Sequence, residues 1–301
     1  MIDLNLIDPI KRTHTYHAQA GVLHARLQLP LSQEIKPQAF TKLSERGGYL
    51  SQHAHNYQLE GIVSYRAAYT QVAGNKELKD GHGFVTVATS VIEHLNILDV
   101  VTADRVVAQV STEHPLTDGY YVPKISFLGT RFENLRIAGH RVHFKINHNL
   151  LGSREADDNS PYTGNLRNWI AEHIEKAKGQ EPFEDEDLDR DFKEDPCPSE
   201  DPDVDKDRAP ESMQCSLGSG VELEDKNGSY PGECFNHVIK VPNFGTVHLA
   251  NLHLKHEDFQ KGTGVPKRTT VDLSMVKVKM GCLAAGTMAI GNTRTNGGTR
   301  P

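Results

Sequence analysis

Thr270-Val-Asp-Leu-Ser-Met-Val-Lys-Val-Lys-Met280 decides the fold class, because its apolar side chains recur at every second position. A period of two places successive side chains on opposite faces of an extended strand. Within this stretch the apolar set shifts by one position, from Val271, Leu273 and Met275 to Val276, Val278 and Met280. An extra residue in one strand of an antiparallel pair produces such a shift. The stretch therefore predicts a β-strand with a β-bulge.

Similar patterns occur on both sides of the middle of the chain. They predict strands within Tyr57–Tyr65, Phe84–Ile92, Asn96–Val101, Arg105–Val110, Arg141–Asn147 and Val247–Leu254, with a tight turn at Thr102–Asp104. The fold class is therefore mainly β, either a β-sandwich or a stacked β-roll. We expect residues 1–48 to be an irregular lead-in with one or two strands. Residues 49–150 and 235–301 would pack together as two parts of one β body.

The region 151–234 differs from the rest of the chain. Asn165–Lys178 predicts one short amphipathic helix, because its apolar residues recur at helical spacing and Gly179 follows it. Glu181–Asp207 contains fourteen acidic and three basic residues, a net charge of −11. The whole chain carries −7, which leaves +4 for the remainder. High charge and low hydrophobicity predict an acidic, disordered insert.

Several classes of protein are disfavoured by composition. No dense basic patch indicates nucleic-acid binding. No apolar run approaches the roughly 20 residues of a membrane-spanning helix. The first residues lack the basic and apolar regions of a signal peptide, which favours a cytoplasmic protein, or a secreted or cell-surface one if a leader was removed. The four cysteines form no CxxC pair, and both thiols and disulfides remain open.

Histidine is the main surplus of potentially functional residues, with sixteen in the chain. His53 and His55 would project from the same face of a strand and could share a divalent metal. His248, His253 and His256 form a second cluster. On an unbroken strand His248 and His256 would share a face, with His253 on the other. If the two clusters converge, they indicate a metal-dependent enzyme. The alternative is that these histidines occupy exposed polar positions of the strands and bind no metal.

Alternate carboxylates within the acidic stretch suggest a second metal hypothesis. Asp201, Asp203, Asp205 and Asp207 could bind calcium through hard oxygen ligands. An EF-hand loop is excluded, because Lys206 and Ser212 occupy its glycine and glutamate positions. The alternatives are a calcium-responsive binding module and a solvated acidic linker.

Catalytic signatures are missing from the sequence, and no catalytic residue or organic cofactor is indicated. There is no nucleophile elbow, no P-loop and no dinucleotide fingerprint. Glu93, His94, Asp99 and Asp104 would form an acid–base cluster only if neighbouring strands brought them together. The favoured function is therefore a non-enzymatic structural or interaction protein of unknown partner. Exposed strand edges would be covered by self-association into a homo-oligomer.

Four segments carry a family resemblance, and they occur in the family's order. They are Val87-Ala-Thr-Ser-Val-Ile-Glu-His-Leu-Asn-Ile-Leu-Asp-Val-Val-Thr-Ala-Asp104, Phe132-Glu-Asn-Leu-Arg-Ile-Ala-Gly139, Val241-Pro-Asn-Phe-Gly-Thr-Val-His-Leu249 and Met288-Ala-Ile-Gly-Asn292. Together they resemble the choice-of-anchor P proteins of bacteria. The resemblance implies a β-rich surface or secreted protein of unknown function and brings no catalytic residues. The chain departs from that family in lacking a visible leader or C-terminal anchor and in carrying the helix and acidic insert.

Overall fold

A computed structural model describes residues 13–29, 32–76, 83–114, 123–151, 193–195, 212–224, 230–259, 266–281 and 284–300. These residues form twenty β-strands and no helix. The strands are β1 (Thr13–His14), β2 (His17–Leu29), β3 (Gln33–Gln38), β4 (Thr41–Lys42), β5 (Gly48–Leu59), β6 (Val63–Lys76), β7 (Phe84–Ile97), β8 (Val101–His114), β9 (Lys124–Ser126), β10 (Arg131–Glu133), β11 (Arg136–Ile137), β12 (His140–Ile146), β13 (Lys193–Asp195), β14 (Ser212–Ser216), β15 (Gly218–Glu224), β16 (Glu233–Phe235), β17 (Val238–Val241), β18 (Gly245–Phe259), β19 (Pro266–Gly281) and β20 (Ala285–Arg300).

The strands form two antiparallel sheets. The larger sheet has eleven strands in the order β13-β14-β18-β19-β20-β2-β3, with β1 beside β20, β4 beside β2, and the β16–β17 hairpin beside β18. The smaller sheet has nine strands in the order β15-β12-β11-β8-β7-β6-β5, with β9 and β10 beside β8. The mainly β fold predicted from the sequence is confirmed.

The two sheets pack face to face around a shared core. Strands β2, β19 and β20 of the larger sheet contact β6, β7 and β8 of the smaller one. Leu23, Val276 and Ile290 from the larger sheet share this core with Ile92 and Val106 from the smaller. Burial of such β-branched and aliphatic side chains is the main stabilising contribution to a two-layer fold. No helix long and apolar enough to cross a membrane occurs among the described residues.

The phase shift predicted in Thr270–Met280 is real, but the bulge is not. Met275 and Val276 are both fully buried. The pairing of β19 with β18 and with β20 nevertheless keeps one register on both sides of Met275. No extra residue is therefore inserted, and the β-bulge interpretation is wrong.

Instead, the alternation of buried and outward-facing side chains changes at matching positions on four neighbouring strands of the larger sheet. By the register of the flanking pairs, Ala250, Met275, Gly291 and Val22 lie opposite one another on β18, β19, β20 and β2. Ala250 and Gly291 have φ angles of 49° and 65°. Because these left-handed residues occur on alternate strands, the strands change phase together and the pairing is preserved. We name these four residues the phase-change line of the larger sheet.

The smaller sheet has an equivalent line. Asn56, Arg66, His94 and Asp104 lie opposite one another on β5, β6, β7 and β8. Asn56 and His94 have φ angles of 51° and 53°, again on alternate strands. Along β7 the even-numbered positions are buried up to Ile92, together with Val91, whereas after this line the buried positions are Leu95 and Ile97. In both layers of the sandwich the strands therefore change phase through the same backbone device.

One predicted strand and one predicted turn differ from the structure. Tyr57–Tyr65 is a hairpin rather than one strand, because Glu60 and Gly61 adopt left-handed conformations. The turn between β7 and β8 is at 98–100 and not at Thr102–Asp104. Asn96 stabilises it, since its side-chain oxygen accepts a hydrogen bond from the Asp99 backbone N–H at 2.8 Å. Side-chain capping and paired left-handed residues favour such tight hairpin turns.

Two segments contribute more to the sandwich than the sequence predicted. Residues 17–29 of the predicted lead-in form β2, which lies between β20 and β3 in the larger sheet. Within the acidic stretch, Lys193–Asp195 forms β13 and pairs with β14. The predicted helix Asn165–Lys178, the rest of the acidic insert and the calcium candidates lie outside the described residues, so those hypotheses stay predictions.

Candidate functional site

A polar groove of about 590 Å³ lies on the outer face of the larger sheet. We call it the outer-face groove. Its walls come from β2, β14, β18, β19 and β20, together with the segment around β3. The polar and charged side chains lining it are Gln19, His24, Gln214, Asn251, His253, Asp272, Ser274, Lys277, Asn292, Thr293 and Arg294.

One transverse row of side chains forms the floor of the groove at one end. Gln214, His253, Asp272, Arg294 and Gln19 are direct cross-strand partners on five successive strands. Directly opposed residues project from the same face of an antiparallel sheet. Strand register therefore brings together five polar groups from distant parts of the sequence.

The centre of this row is a bidentate ion pair. Arg294 donates from Nε to Asp272 Oδ1 at 2.5 Å and from Nη2 to Oδ2 at 2.9 Å. These hydrogen bonds raise the pKa of Arg294. The pair uses two of the five guanidinium N–H groups, so Arg294 retains donors that can face a ligand. A planar fork-to-carboxylate pair also fixes the orientation of both side chains.

Next to this row lies a second network, beside the phase-change line. Lys277 Nζ donates to Asn251 Oδ1 at 2.8 Å, and Asn251 is only 2% exposed. Ser274 Oγ donates to Asn292 Oδ1 at 2.6 Å, and Asn292 Nδ2 donates to the Ala289 carbonyl at 3.2 Å. These hydrogen bonds join side chains of β18, β19 and β20 beside the phase-change line, so the groove side chains are held by one another.

His253 lies at one wall of the groove. Its Nε2 lies 2.7 Å from Ser212 Oγ. Burial lowers the pKa of His253, and nearby cations add to this effect against the opposing charge of Asp272. Both carboxylate oxygens of Asp272 accept from Arg294, so this carboxylate is engaged elsewhere. The arrangement presents a polar imidazole to the groove and does not resemble a base oriented by a carboxylate.

The predicted histidine clusters occupy different sheets. His53 and His55 lie exposed on β5, with parallel rings whose centroids are 6.5 Å apart. The other three are on β18 in the larger sheet. Among the residues that the structure describes, no group of three or more potential metal ligands converges. The metal site that requires both clusters is therefore not formed by the described residues.

The predicted faces of the second cluster are also wrong. His256 is fully buried on the core side, where its Nδ1 is 3.1 Å from Thr269 Oγ1. His248 and His253 pair with Lys277 and Asp272, which both line the outer-face groove. The left-handed Ala250 lies between His248 and His256 and shifts the alternation by one residue. A strict period of two could not reveal this shift.

His94 and Asp104 lie opposite one another at the phase-change line of the smaller sheet, but each carboxylate of the acid–base candidates has a structural partner. Glu93 pairs with Arg66 at 3.4 Å. Asp99 accepts from Asn96 Nδ2 at 2.6 Å, and Asp104 accepts from Asn134 Nδ2 at 2.6 Å. His94 lies exposed at the phase-change line. These residues therefore support turns and strand ends of the smaller sheet.

A second groove, of about 580 Å³, lies on the smaller sheet between β10, β12 and β15. It is lined by the edge-to-face pair Phe132–Phe144 and by Arg141, which donates to Asn134 at 3.1 Å. The His143–Glu224 pair at 2.7 Å is largely exposed. We place the candidate site in the outer-face groove, because its polar groups lie on central strands and are better buried.

Residues 14–255 match the family described as Domain of unknown function (DUF8256). The match starts in β1 and ends in β18, so it includes parts of both sheets but not β19 or β20. Asp272, Lys277 and Arg294 of the outer-face groove lie beyond it. No curated protein and no solved structure matches the chain. The resemblance to the choice-of-anchor P proteins stays a prediction.

Proposed function

The chain belongs to the DUF8256 family, and we propose that it is a non-enzymatic interaction protein whose outer-face groove binds a hydroxyl-rich ligand such as a short glycan. The observation that carries this proposal is the mutual hydrogen bonding of the groove side chains. Asp272–Arg294, Asn251–Lys277 and Ser274–Asn292 are each locked across neighbouring strands.

Such locking favours binding because the groups are ordered before a ligand arrives. Immobilising a flexible polar side chain costs roughly 0.5–1.5 kcal/mol on association. Side chains that are already held by neighbours avoid much of this cost. Sites on strands are also positioned more precisely than sites on loops.

The chemistry of the groove suits sugar hydroxyls. A hydroxyl both donates and accepts, and the groove combines amide groups of Asn251 and Asn292 with the guanidinium of Arg294 and the carboxylate of Asp272. Phe40, 39% exposed, lies at the rim and offers an apolar surface to the C–H face of a sugar ring. This mixture of polar groups and one aromatic edge supports recognition rather than bond cleavage.

The test is binding of short neutral oligosaccharides, measured by isothermal titration calorimetry after a glycan-array screen. We expect at least one to bind, and Asp272→Asn to weaken its Kd about 10-fold, the loss of about 1.4 kcal/mol. The matched control is Glu133→Gln, which removes the exposed Arg131–Glu133 pair outside the groove and should leave Kd unchanged. Absence of glycan binding at millimolar concentration, or equal binding by Asp272→Asn, would refute the proposal.

A further inference from the structure

The four strands that end the two sheet paths differ in how they are protected. An exposed edge invites pairing with another chain, and shortness, charge and proline discourage it. Strand β13 has three residues, all charged, and β3 contains Glu34, Lys36 and Pro37. Strand β15 carries two acidic residues, Glu222 and Glu224, and two glycines. Strand β5 has twelve residues with no Asp, Glu, Lys, Arg or Pro.

Strand β5 is also unusually exposed and apolar. Tyr49 is 60% exposed and Leu50 is 46% exposed, and they are adjacent, so they project from opposite faces. Both faces of the strand are exposed from Gly48 to His53. In the described part of the chain, β5 pairs with β6 alone. Its outer edge therefore offers backbone hydrogen-bonding groups and two large apolar side chains together.

We propose that two copies of the chain pair antiparallel through this edge, with Gln52 on the two-fold axis. The regular part of β5 ends before the left-handed Asn56. Gln52 is the central residue of the run from Gly48 to Asn56, and we therefore place the axis there. The smaller sheets of the two copies would then join into one continuous sheet.

This register gives each exposed apolar side chain a partner. Leu50 lies opposite Ala54 of the second copy on the core-side face, where Ala54 already packs against the core. Tyr49 lies opposite His55 of the second copy on the other face. Directly opposed side chains have Cβ atoms about 4.5–5.5 Å apart. Aromatic and aliphatic cross-strand pairs of this kind stabilise antiparallel pairing.

The charge pattern favours a second copy as the occupant. Because β5 carries no formal charge, pairing it with β5 of a second copy places no like charges opposite each other. A two-fold pairing is also closed, since β5 becomes an internal strand in both copies and leaves no further edge there. Pairing through one strand is a small interface, so we expect a reversible dimer with a Kd on the order of micromolar.

Analytical ultracentrifugation over a concentration series tests this dimer. The unmodified chain should dimerise, and Gln52→Lys and Gln52→Glu should each weaken dimerisation at least 10-fold, because the axis opposes two like charges. An equimolar mixture of the two variants should restore it. The control Gln33→Lys introduces the same charge on exposed β3 and should dimerise normally.

Each outcome bears on the proposal. A chain that stays monomeric at high concentration overturns it, and would point to a strand supplied by a different protein. Dimerisation of Gln52→Lys as strong as that of the unmodified chain also overturns it. Failure of the mixture to associate overturns the register. Thermal melting of both variants establishes that each is folded.

Discussion

On the larger sheet, the hydrogen-bonded side chains beside the phase-change line are partly buried in one groove, whereas on the smaller sheet those beside the line lie on the exposed surface. Lys277–Asn251 and Ser274–Asn292 cross the strands of the larger sheet within one groove. The smaller sheet carries the Arg66–Glu93 contact, at 3.4 Å, on its exposed surface. The same backbone device therefore produces a half-buried polar site in one layer and a solvated surface in the other. What differs is the choice of side chains and their burial.

The largest expected effect concerns the phase-change line itself. Gly291 has a φ of 65°, and a Cβ there would lie 3.2 Å from Met275 Cβ in the core. Gly291→Val combines a strained backbone with overpacking, each costing roughly 1–3 kcal/mol. We expect a loss of about 4 kcal/mol in the free energy of unfolding, measured by urea denaturation.

His94 supplies the matched control on the smaller sheet. It has a φ of 53° but is exposed. His94→Val should therefore suffer backbone strain without overpacking and lose about 1–2 kcal/mol. Equal losses for the two variants would mean that packing against Met275 does not distinguish the two lines.

A second effect arises where the two sheets meet at one end of the sandwich. His14 of β1 lies between Phe84 and His114, with ring centroids 4.6 and 4.8 Å away. The ring nitrogens of both histidines are buried and have no hydrogen-bond partner among the described residues. Burial, with a smaller contribution from the charge of His17, lowers the pKa of His14 to about 4. Burial also lowers the pKa of His114.

The sign of the resulting pH dependence follows from linkage. Because the folded pKa of His14 lies below its unfolded value of 6.5, the unfolded state binds more protons between these two values. The stability is complete above pH 6.5 and falls as the pH decreases toward about 4. For His14 the loss is about 3 kcal/mol. Urea denaturation at a series of pH values measures it, and His14→Phe should flatten the profile. An unchanged profile for that variant would assign the acid sensitivity to other groups.

Period-two patterning predicted the mainly β fold, because it records which residues are buried, but it placed the turns at 60–62 and 98–100 inside strands. It could not predict the candidate site, since Gln214, Asp272 and Arg294 meet only through strand register. Their positions read in the sequence as ordinary solvent-facing polar residues. The histidine surplus was misleading for a related reason. An imidazole can pack in a core, as His256 does beside Thr269, and composition does not report burial.

The smallest expected effect compares single ion pairs on the two outer faces. Asp272–Arg294 is bidentate, whereas Arg66–Glu93 is a single contact at 3.4 Å, and the side chains of the two pairs are similarly exposed. Exposed pairs contribute about 0.2–1 kcal/mol, and good geometry places a pair at the upper end. We expect double-mutant cycles to give a coupling energy of about 1 kcal/mol for Asp272–Arg294 and about 0.3 kcal/mol for Arg66–Glu93. If the two coupling energies are equal, the groove does not strengthen the Asp272–Arg294 pair, and its side chains are not preorganised for ligand binding.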